Sequence, residues 1–429
     1  MSDNRRDFLK AAAVATPFTT NLFAGQVAGA NNKHRVSFIG VGRMGRSNLG
    51  VAMKQDNVEV VSLCDIYEPN LNKALEMTKG QAKGVKDFRE VLADKSIDIV
   101  CIATPDHWHA YMAVEACKAG KDVYVEKPIC VTVEEGVKMV QAARKYKRVV
   151  QAGTQQRSGV HFQKAVEIVK SGELGKVTFC RTWNVGNTPA AGIGNPIDGE
   201  PPSGLDWDMW LGPAPAHKFN ANRFGVDEKA FSHFRWFWDY AGGMMTDWGV
   251  HLLDIVHMAF DEAMPTSITA MGSKLFIEDN RETPDTLQVT YEYPGFVATY
   301  ENRLGNGNSL MGRNYGTAFH GTKGTLVVDR AGFDLIPERG STLAARTEKS
   351  SNNHNMSHWA NFLECVRTRQ RPIADVEVCQ RSTTACLLGN VALRSKLRVD
   401  WDSKRWTAAQ AEARKLLSRE ERKPWRIVV

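Results

Sequence analysis

The feature that most constrains this chain is a glycine motif standing directly after a strand. Arg35-Val36-Ser37-Phe38-Ile39 is a short β-rich run that stops at Gly40-Val41-Gly42-Arg43-Met44-Gly45, a G-x-G-x-x-G in the strand–turn–helix context that gives the motif meaning. Gly40 permits the tight turn, Gly42 lets backbone approach a pyrophosphate, and Gly45 lets the following helix pack on the strand. Helix N-terminal amides then face the phosphates. Arg43 and Met44, inside the motif, fall at the same cofactor edge. The next apolar run, Val58 to Cys64, ends at Asp65, twenty residues beyond Gly45, where a doubly wound fold presents an acid to the adenosine ribose. That carboxylate repels a 2′-phosphate, and Ile66 and Tyr67 supply no cation in compensation, so the spacing predicts NAD rather than NADP.

A third unit, Ser96 to Ala103, has the unbroken apolar pattern of a buried strand and breaks at Thr104-Pro105 before an alanine-rich helix. In doubly wound sheets the crevice outside the carboxyl ends of the strands holds the ligand. Thr104, Pro105 and His109 are therefore expected to border the cofactor. His107 and His109 invite a metal reading, but no third ligand follows at suitable spacing and no metal is expected. The following strand, Asp122-Val123-Tyr124-Val125, leads into Glu126-Lys127-Pro128, which puts Glu126 and Lys127 at the same crevice. Pro128 blocks helix continuation, leaving the Lys127 ammonium to project toward a nicotinamide and orient a substrate hydroxyl. Asp247 and His251, four apart in a segment that reads as helical after Gly242-Gly243, are expected to share a face, Asp247 fixing the imidazole and His251 accepting a proton.

A chain of 429 residues is too long for one core. Its charged fraction of 24% and mean hydropathy of −0.35 are those of a globular protein outside the membrane. The formal charge of +7 is dispersed; the densest basic run, RKLLSREERKPWR (414–426), is interrupted by acids and reads as a solvated helix, not a nucleic-acid surface. The eight cysteines form no CxxC pair and sit in apolar runs, as buried small hydrophobes do. At the N-terminus, Asn4-Arg5-Arg6-Asp7-Phe8-Leu9-Lys10 resembles a twin-arginine export signal, followed by an apolar stretch too short to anchor in a bilayer and by Ala28-Gly29-Ala30, where cleavage is expected. The mature chain is then periplasmic or otherwise exported, delivered folded by the twin-arginine machinery.

ATPDHWHA (103–110), VYVEKP (123–128) and AGGMMTDWGVHLLD (241–254) together resemble the signatures of the Gfo/Idh/MocA oxidoreductases, the glucose-fructose oxidoreductase and inositol dehydrogenase family. LDWDMWLG (205–212) and HGTKGTL (320–326) add to the match in the same order. The resemblance implies an α/β protein: a signal peptide over 1–30, a doubly wound NAD-binding domain over 31–153, and a substrate-binding and oligomerisation domain over 154–400 with a large, mostly antiparallel open sheet. A tail over 401–429 follows. It implies a homodimer or homotetramer acting on a sugar, polyol or derivative bound between the domains. In the family's pattern the segment Gly153-Thr154-Gln155-Gln156-Arg157 faces substrate, which makes Arg157 a candidate hydroxyl or carboxylate ligand, with an interdomain ion pair as its alternative. Trp236, in the aromatic run FSHFRWFW (231–238), is a candidate for stacking on a sugar face. The Gly- and Pro-rich stretch 187–204 is left as a lid or an oligomer arm; His354 and His358, four apart, are within reach of the site, with capping or core roles preferred. Three activities follow from the resemblance. They are a dehydrogenase releasing NADH, a closed-cycle enzyme with tightly held NAD (a sugar–sugar oxidoreductase or NAD-dependent glycosidase), and a catalytically silent sugar-binding protein.

Overall fold

The computed structural model describes residues 33–226 and 232–429. The twin-arginine motif and the expected cleavage after Ala30 lie outside the described residues. Six parallel strands, β1 (His34–Ile39), β2 (Val58–Cys64), β3 (Lys83–Val85), β4 (Ile99–Ile102), β5 (Asp122–Val125) and β6 (Val150–Ala152), form one sheet in the order β3-β2-β1-β4-β5-β6. Every residue of β4 and β5 is buried, because helices cover both faces of a parallel sheet. The order reverses between β1 and β4, so their carboxyl ends open a crevice.

The second sheet has ten strands, built from β7 (Val177–Val185), β8 (Ser267–Ser273), β9 (Thr286–Tyr293), β10 (Phe296–Arg303), β11 (Tyr315–Gly321), β12 (Gly324–Asp329), β13 (Gly332–Pro337), β14 (Arg346–Lys349), β15 (Val399–Asp402) and β16 (Thr407–Ala408). Their order is β14-β13-β12-β11-β7-β10-β9-β8-β15-β16. β7 and β10 pair in parallel; the other pairs are antiparallel. β9 alternates buried and exposed residues along its length, the pattern of a sheet with one face packed and one open. The helices Gly249–Ala259 and Val376–Ser395 lie on the packed face. The fold class expected from the sequence, a doubly wound sheet followed by a mostly antiparallel open one, is the architecture observed.

Two C-terminal helices tie the sheets together. Helix His354–Thr368 returns to the first sheet, where Trp359 stacks on Tyr124 at 4.7 Å and donates through Nε1 to Asn48 at 3.0 Å. Helix Val376–Ser395 contributes Val376, Cys379 and Cys386 to a core shared with Met139 and Ala142 of the Val133–Lys145 helix. The run 414–426 is not the solvated helix expected. Only Ala411–Arg414 is helical, and beyond it the chain straps across the first sheet. Trp425 packs edge-on against Trp108 at 4.9 Å, Arg419 pairs with buried Glu135 at 2.7 Å, and Arg422 donates to Gly212 O at 2.8 Å. An aromatic anchor and two paired guanidinium groups outweigh the helical propensity of that run. All eight cysteines are buried thiols.

Candidate functional site

The crevice at the β1/β4 reversal is the mouth of a cleft of roughly 590 Å³ that runs from the glycine loop to helix Gly249–Ala259. Gly40 has φ +82°, and a Cβ there would come within 2.7 Å of Thr104 N; a Cβ on Gly45 would fall 2.0 Å from Gly40 O. Both positions therefore require glycine, one for its conformation and one for close helix packing. Gly42 differs: a Cβ would meet only Asn70 Nδ2, at 3.7 Å, so its face is turned to the cleft. The helix Arg43–Ala52 starts there with no side-chain cap and no acid in its first turn. Its first amides are left for an anion. Thr104 Oγ1 is a buried hydroxyl with no partner among the described residues, on the cleft wall. These features fit a dinucleotide laid along Gly40 to Gly45, with Met44 and Arg43 also lining the cleft.

Asp65, at the end of β2, accepts from Val41 N at 2.9 Å and Tyr67 N at 2.8 Å. Burial pushes its carboxyl up to about 6 against those two bonds, so it is largely ionised at neutral pH. Arg46 and Lys86 line the same end. Arg46 is engaged by Val41 O at 3.0 Å and Asn70 Oδ1 at 3.2 Å, and Lys86 by Glu68 at 3.2 Å.

Pro105 and His109 also line the cleft. His109 reaches Pro128 O at 2.7 Å and Thr104 O at 2.8 Å, so it clamps together the loops that follow β4 and β5. Burial holds its pKa down at about 4 although both bonds raise it. His107 lies against Trp210 O at 3.0 Å inside an aromatic cluster, a core position. Glu126 accepts from Asn48 at 2.8 Å and from Lys127 N at 3.2 Å. Asn48 in turn accepts from Trp359, so Glu126 is the inner end of a hydrogen-bond chain that fixes the turn after β5.

Lys127 Nζ, at the centre of the cleft, meets Asp247 Oδ1 at 2.6 Å and Asp247 O at 3.0 Å. Arg235 Nη2 approaches the same carboxylate oxygen at 3.0 Å. The two cations hold Asp247 down at about 2 in spite of its burial. The expected Asp247–His251 pair does not form. The helical segment breaks at Trp248, between Gly243–Asp247 and Gly249–Ala259, and the carboxylate is drawn to two cations instead of a neutral ring. Asp247 thus orients Lys127. His251 lines the cleft, 4% exposed, with Nδ1 unpartnered among the described residues. Burial first, then Lys127, Arg330 and His354, push its pKa well below the usual histidine value. It is a neutral imidazole at physiological pH.

Two expected ligands are elsewhere. Arg157 is 3% exposed and outside the cleft lining; its guanidinium is bound to Asp254 at 2.7 Å and Glu262 at 2.9 Å. A buried carboxylate, Asp254, and a partly buried one, Glu262, claim the charge it offers, which is the ion-pair alternative. Trp236 is also off the cleft, under the Arg281 guanidinium at 4.3 Å, with its carbonyl accepting from Glu282 N and Thr283 N. The site uses its neighbour Arg235. His358 is core, bonded to Ser158 Oγ and Ala152 O at 2.8 Å each, and His354 opens its helix. The stretch 187–204 starts beside the second sheet, where Asn187 bridges Gly305, passes Phe219 at Gly199, and ends at the first domain, where Gly204 O accepts from Glu68 N at 3.1 Å. The sequence reading missed Arg235, Trp248 and Arg330 on the cleft wall. Arg235 was hidden among aromatics, and Arg330 sits in a turn between β12 and β13 where no local pattern marks it.

A family model described as an oxidoreductase family, NAD-binding Rossmann fold, matches residues 34–154, and one described as an oxidoreductase family, C-terminal alpha/beta domain, matches residues 191–427. An inositol 2-dehydrogenase of Salmonella paratyphi B is 31% identical over 159 residues, 36% of this chain and 47% of that protein. A glycosyl hydrolase family 109 protein of Shewanella baltica is 32% identical over 170 residues, 33% of this chain and 37% of that one. The chain spans about half the length, or less, of the curated relatives it matches. Among solved structures, the WlbA dehydrogenase of Bordetella pertussis in complex with NADH and UDP-GlcNAcA is similar with a TM-score of 0.65 and 19% identity, over 86% of this chain and 99% of that one. That likeness is one of fold.

Proposed function

Because this chain belongs to the Gfo/Idh/MocA oxidoreductase family, we propose that it moves a hydride between a hydroxyl-bearing carbon of a sugar, polyol or sugar derivative and NAD. The observation that carries the reading is the placement of Lys127 and His251 together on the wall of the cleft that begins at the glycine loop. Bound NAD supplies the hydride acceptor. The chain's own residues handle the proton and the geometry. Lys127, held by Asp247, donates to the substrate oxygen and fixes it; His251, neutral, accepts the hydroxyl proton as the carbinol carbon is oxidised. In the reverse direction the same imidazolium returns it.

NAD is favoured over NADP because Asp65 meets a 2′-phosphate with negative charge while Arg46 and Lys86 are already engaged. A closed cycle, in which NAD stays bound while one sugar is oxidised and another reduced, or a glycoside is oxidised transiently, is the second reading. The twin-arginine pattern at 4–10 favours it, since an exported enzyme meets no free pool of nucleotide, and so does the likeness to a glycosyl hydrolase family 109 protein. We extend the proposal to self-association, as a homodimer or homotetramer, through the open sheet face, where Met271, Val297 and Ile336 are exposed; sedimentation of the purified protein checks it. The test of function is the near-ultraviolet nicotinamide absorbance of the protein, purified without nucleotide and then with NAD or NADP added, as sugars and polyols are supplied one at a time. A sugar-dependent rise with NAD supports the reading. No nucleotide binding by calorimetry removes it.

A further inference from the structure

Arg330 reaches the cleft from the turn between β12 and β13 and lies 5.0 Å over the ring of Trp248, which itself meets His251 edge-on at 6.1 Å. Its Nε donates to Gln156 Oε1 at 3.1 Å. It forms no ion pair among the described residues, and its two terminal nitrogens, which donate to no described acceptor, are not sealed from the cleft. The protein treats Arg157 differently: with no ligand to meet, that guanidinium is given two carboxylates. Asp247, the acid nearest to Arg330 on this wall, is already held by Lys127 and Arg235. Burial pulls the Arg330 pKa below its ordinary value, and Tyr315 and Asp247 offset that only in part. A half-buried guanidinium resting only on an aromatic face and an amide has kept its planar fork for a ligand. The dinucleotide's phosphates are not that ligand, because Arg330's neighbours are Trp248, Gln156, Asp247 and His251, none of them in the glycine loop.

We propose that Arg330 binds an oxyanion carried by the substrate, a carboxylate on the sugar, so that the site selects sugar acids over neutral sugars. The proposal rests on the oxidoreductase reading for what happens next to the bound molecule, but not for the binding itself. A bidentate carboxylate at Arg330 places the rest of the sugar against Trp248 and brings a ring hydroxyl to Lys127 and His251.

The test uses the full-length protein with NAD and a matched panel of hexoses, hexuronates and hexose 6-phosphates. Binding is followed by quenching of tryptophan fluorescence and turnover by nicotinamide absorbance. The expected result is that hexuronates exceed their parent hexoses by about ten- to a hundredfold in binding and in kcat/KM, the range for a charge-assisted pair, and that added salt weakens only the acids. Arg330→Gln abolishes that preference and Arg330→Lys, which keeps charge but not the fork, restores part of it; thermal melts confirm that both variants are folded. Equal binding of acids and neutral sugars, or a ratio unmoved in Arg330→Gln, overturns the proposal. A preference for the 6-phosphates overturns the carboxylate. If hexuronates quench the wild type and not Arg330→Gln, yet no sugar alters nicotinamide absorbance, the anion site stands and the hydride-transfer reading fails.

Discussion

Asp247 and Asp254 lie seven residues apart on consecutive helical segments, and each is the centre of a buried charge cluster, yet the two clusters end differently. Around Asp254 the charges are answered from within: Arg157 spans Asp254 and Glu262, Ser382 Oγ donates to Asp254, and neighbouring His257 meets Tyr293 OH at 2.9 Å through Nε2, its Nδ1 having no partner among the described residues. Around Asp247 the accounts stay open. Lys127 and Arg235 share one carboxylate, and Arg330 has no acid paired with it among the described residues. A closed network of buried charges fixes packing; an open one on a cleft wall is completed by a ligand.

Substitutions sharpen that contrast. Lys127→Met removes the oxygen-fixing group and is expected to lower kcat about a thousandfold, within the range for a positioned proton-handling side chain, with little change in thermal stability; steady-state kinetics and a melt check both. Arg157→Leu is the mirror case. It leaves buried Asp254 with only the Ser382 hydroxyl and Glu262 without its cation, which costs about 3–5 kcal/mol, and denaturant unfolding should show that loss while kcat per folded molecule holds. A large fall in kcat with unchanged stability would merge the two clusters into one site. His251→Asn is expected to lower kcat/KM about a hundredfold. The pH dependence has a definite sign. His251 acts in its neutral form and its pKa is depressed, so wild-type kcat/KM stays level as pH falls through the ordinary histidine range near 6.5 and bends only below it. Arg330→Gln, by removing one of the cations that depress it, shifts that limb upward. The smallest effect is expected from Asp65→Asn, which should move the NAD-to-NADP preference by about tenfold, measured as a ratio of kcat/KM values.

The glycine turn, Asp65 and the β5 end at Lys127 were legible because each depends on local backbone chemistry: a turn only glycine makes, or a strand that delivers its last residue to a crevice. What failed needed partners distant in sequence. The spacing of Asp247 and His251 suggested a pair, but it could not show that Lys127, 120 residues away, would outcompete the imidazole. The basic run 414–426 looked solvated because its partners, Glu135, Asp208 and Trp108, lie in other segments. Arg157 was assigned to the cleft by family pattern and Trp236 by its aromatic run, and side chains one or more residues away, Gln155 and Arg235, line it instead. Arg330 carries no signal in its own turn.

The most direct test of the central claim is the nicotinamide absorbance of wild type and Lys127→Met mixed with NAD and the sugar panel. The account predicts that both proteins bind NAD with similar affinity and that at least one carbohydrate reduces it on the wild type about a thousand times faster than on the variant. Equal reduction rates in the two proteins, or NAD bound by the wild type with no carbohydrate able to reduce it, would contradict it.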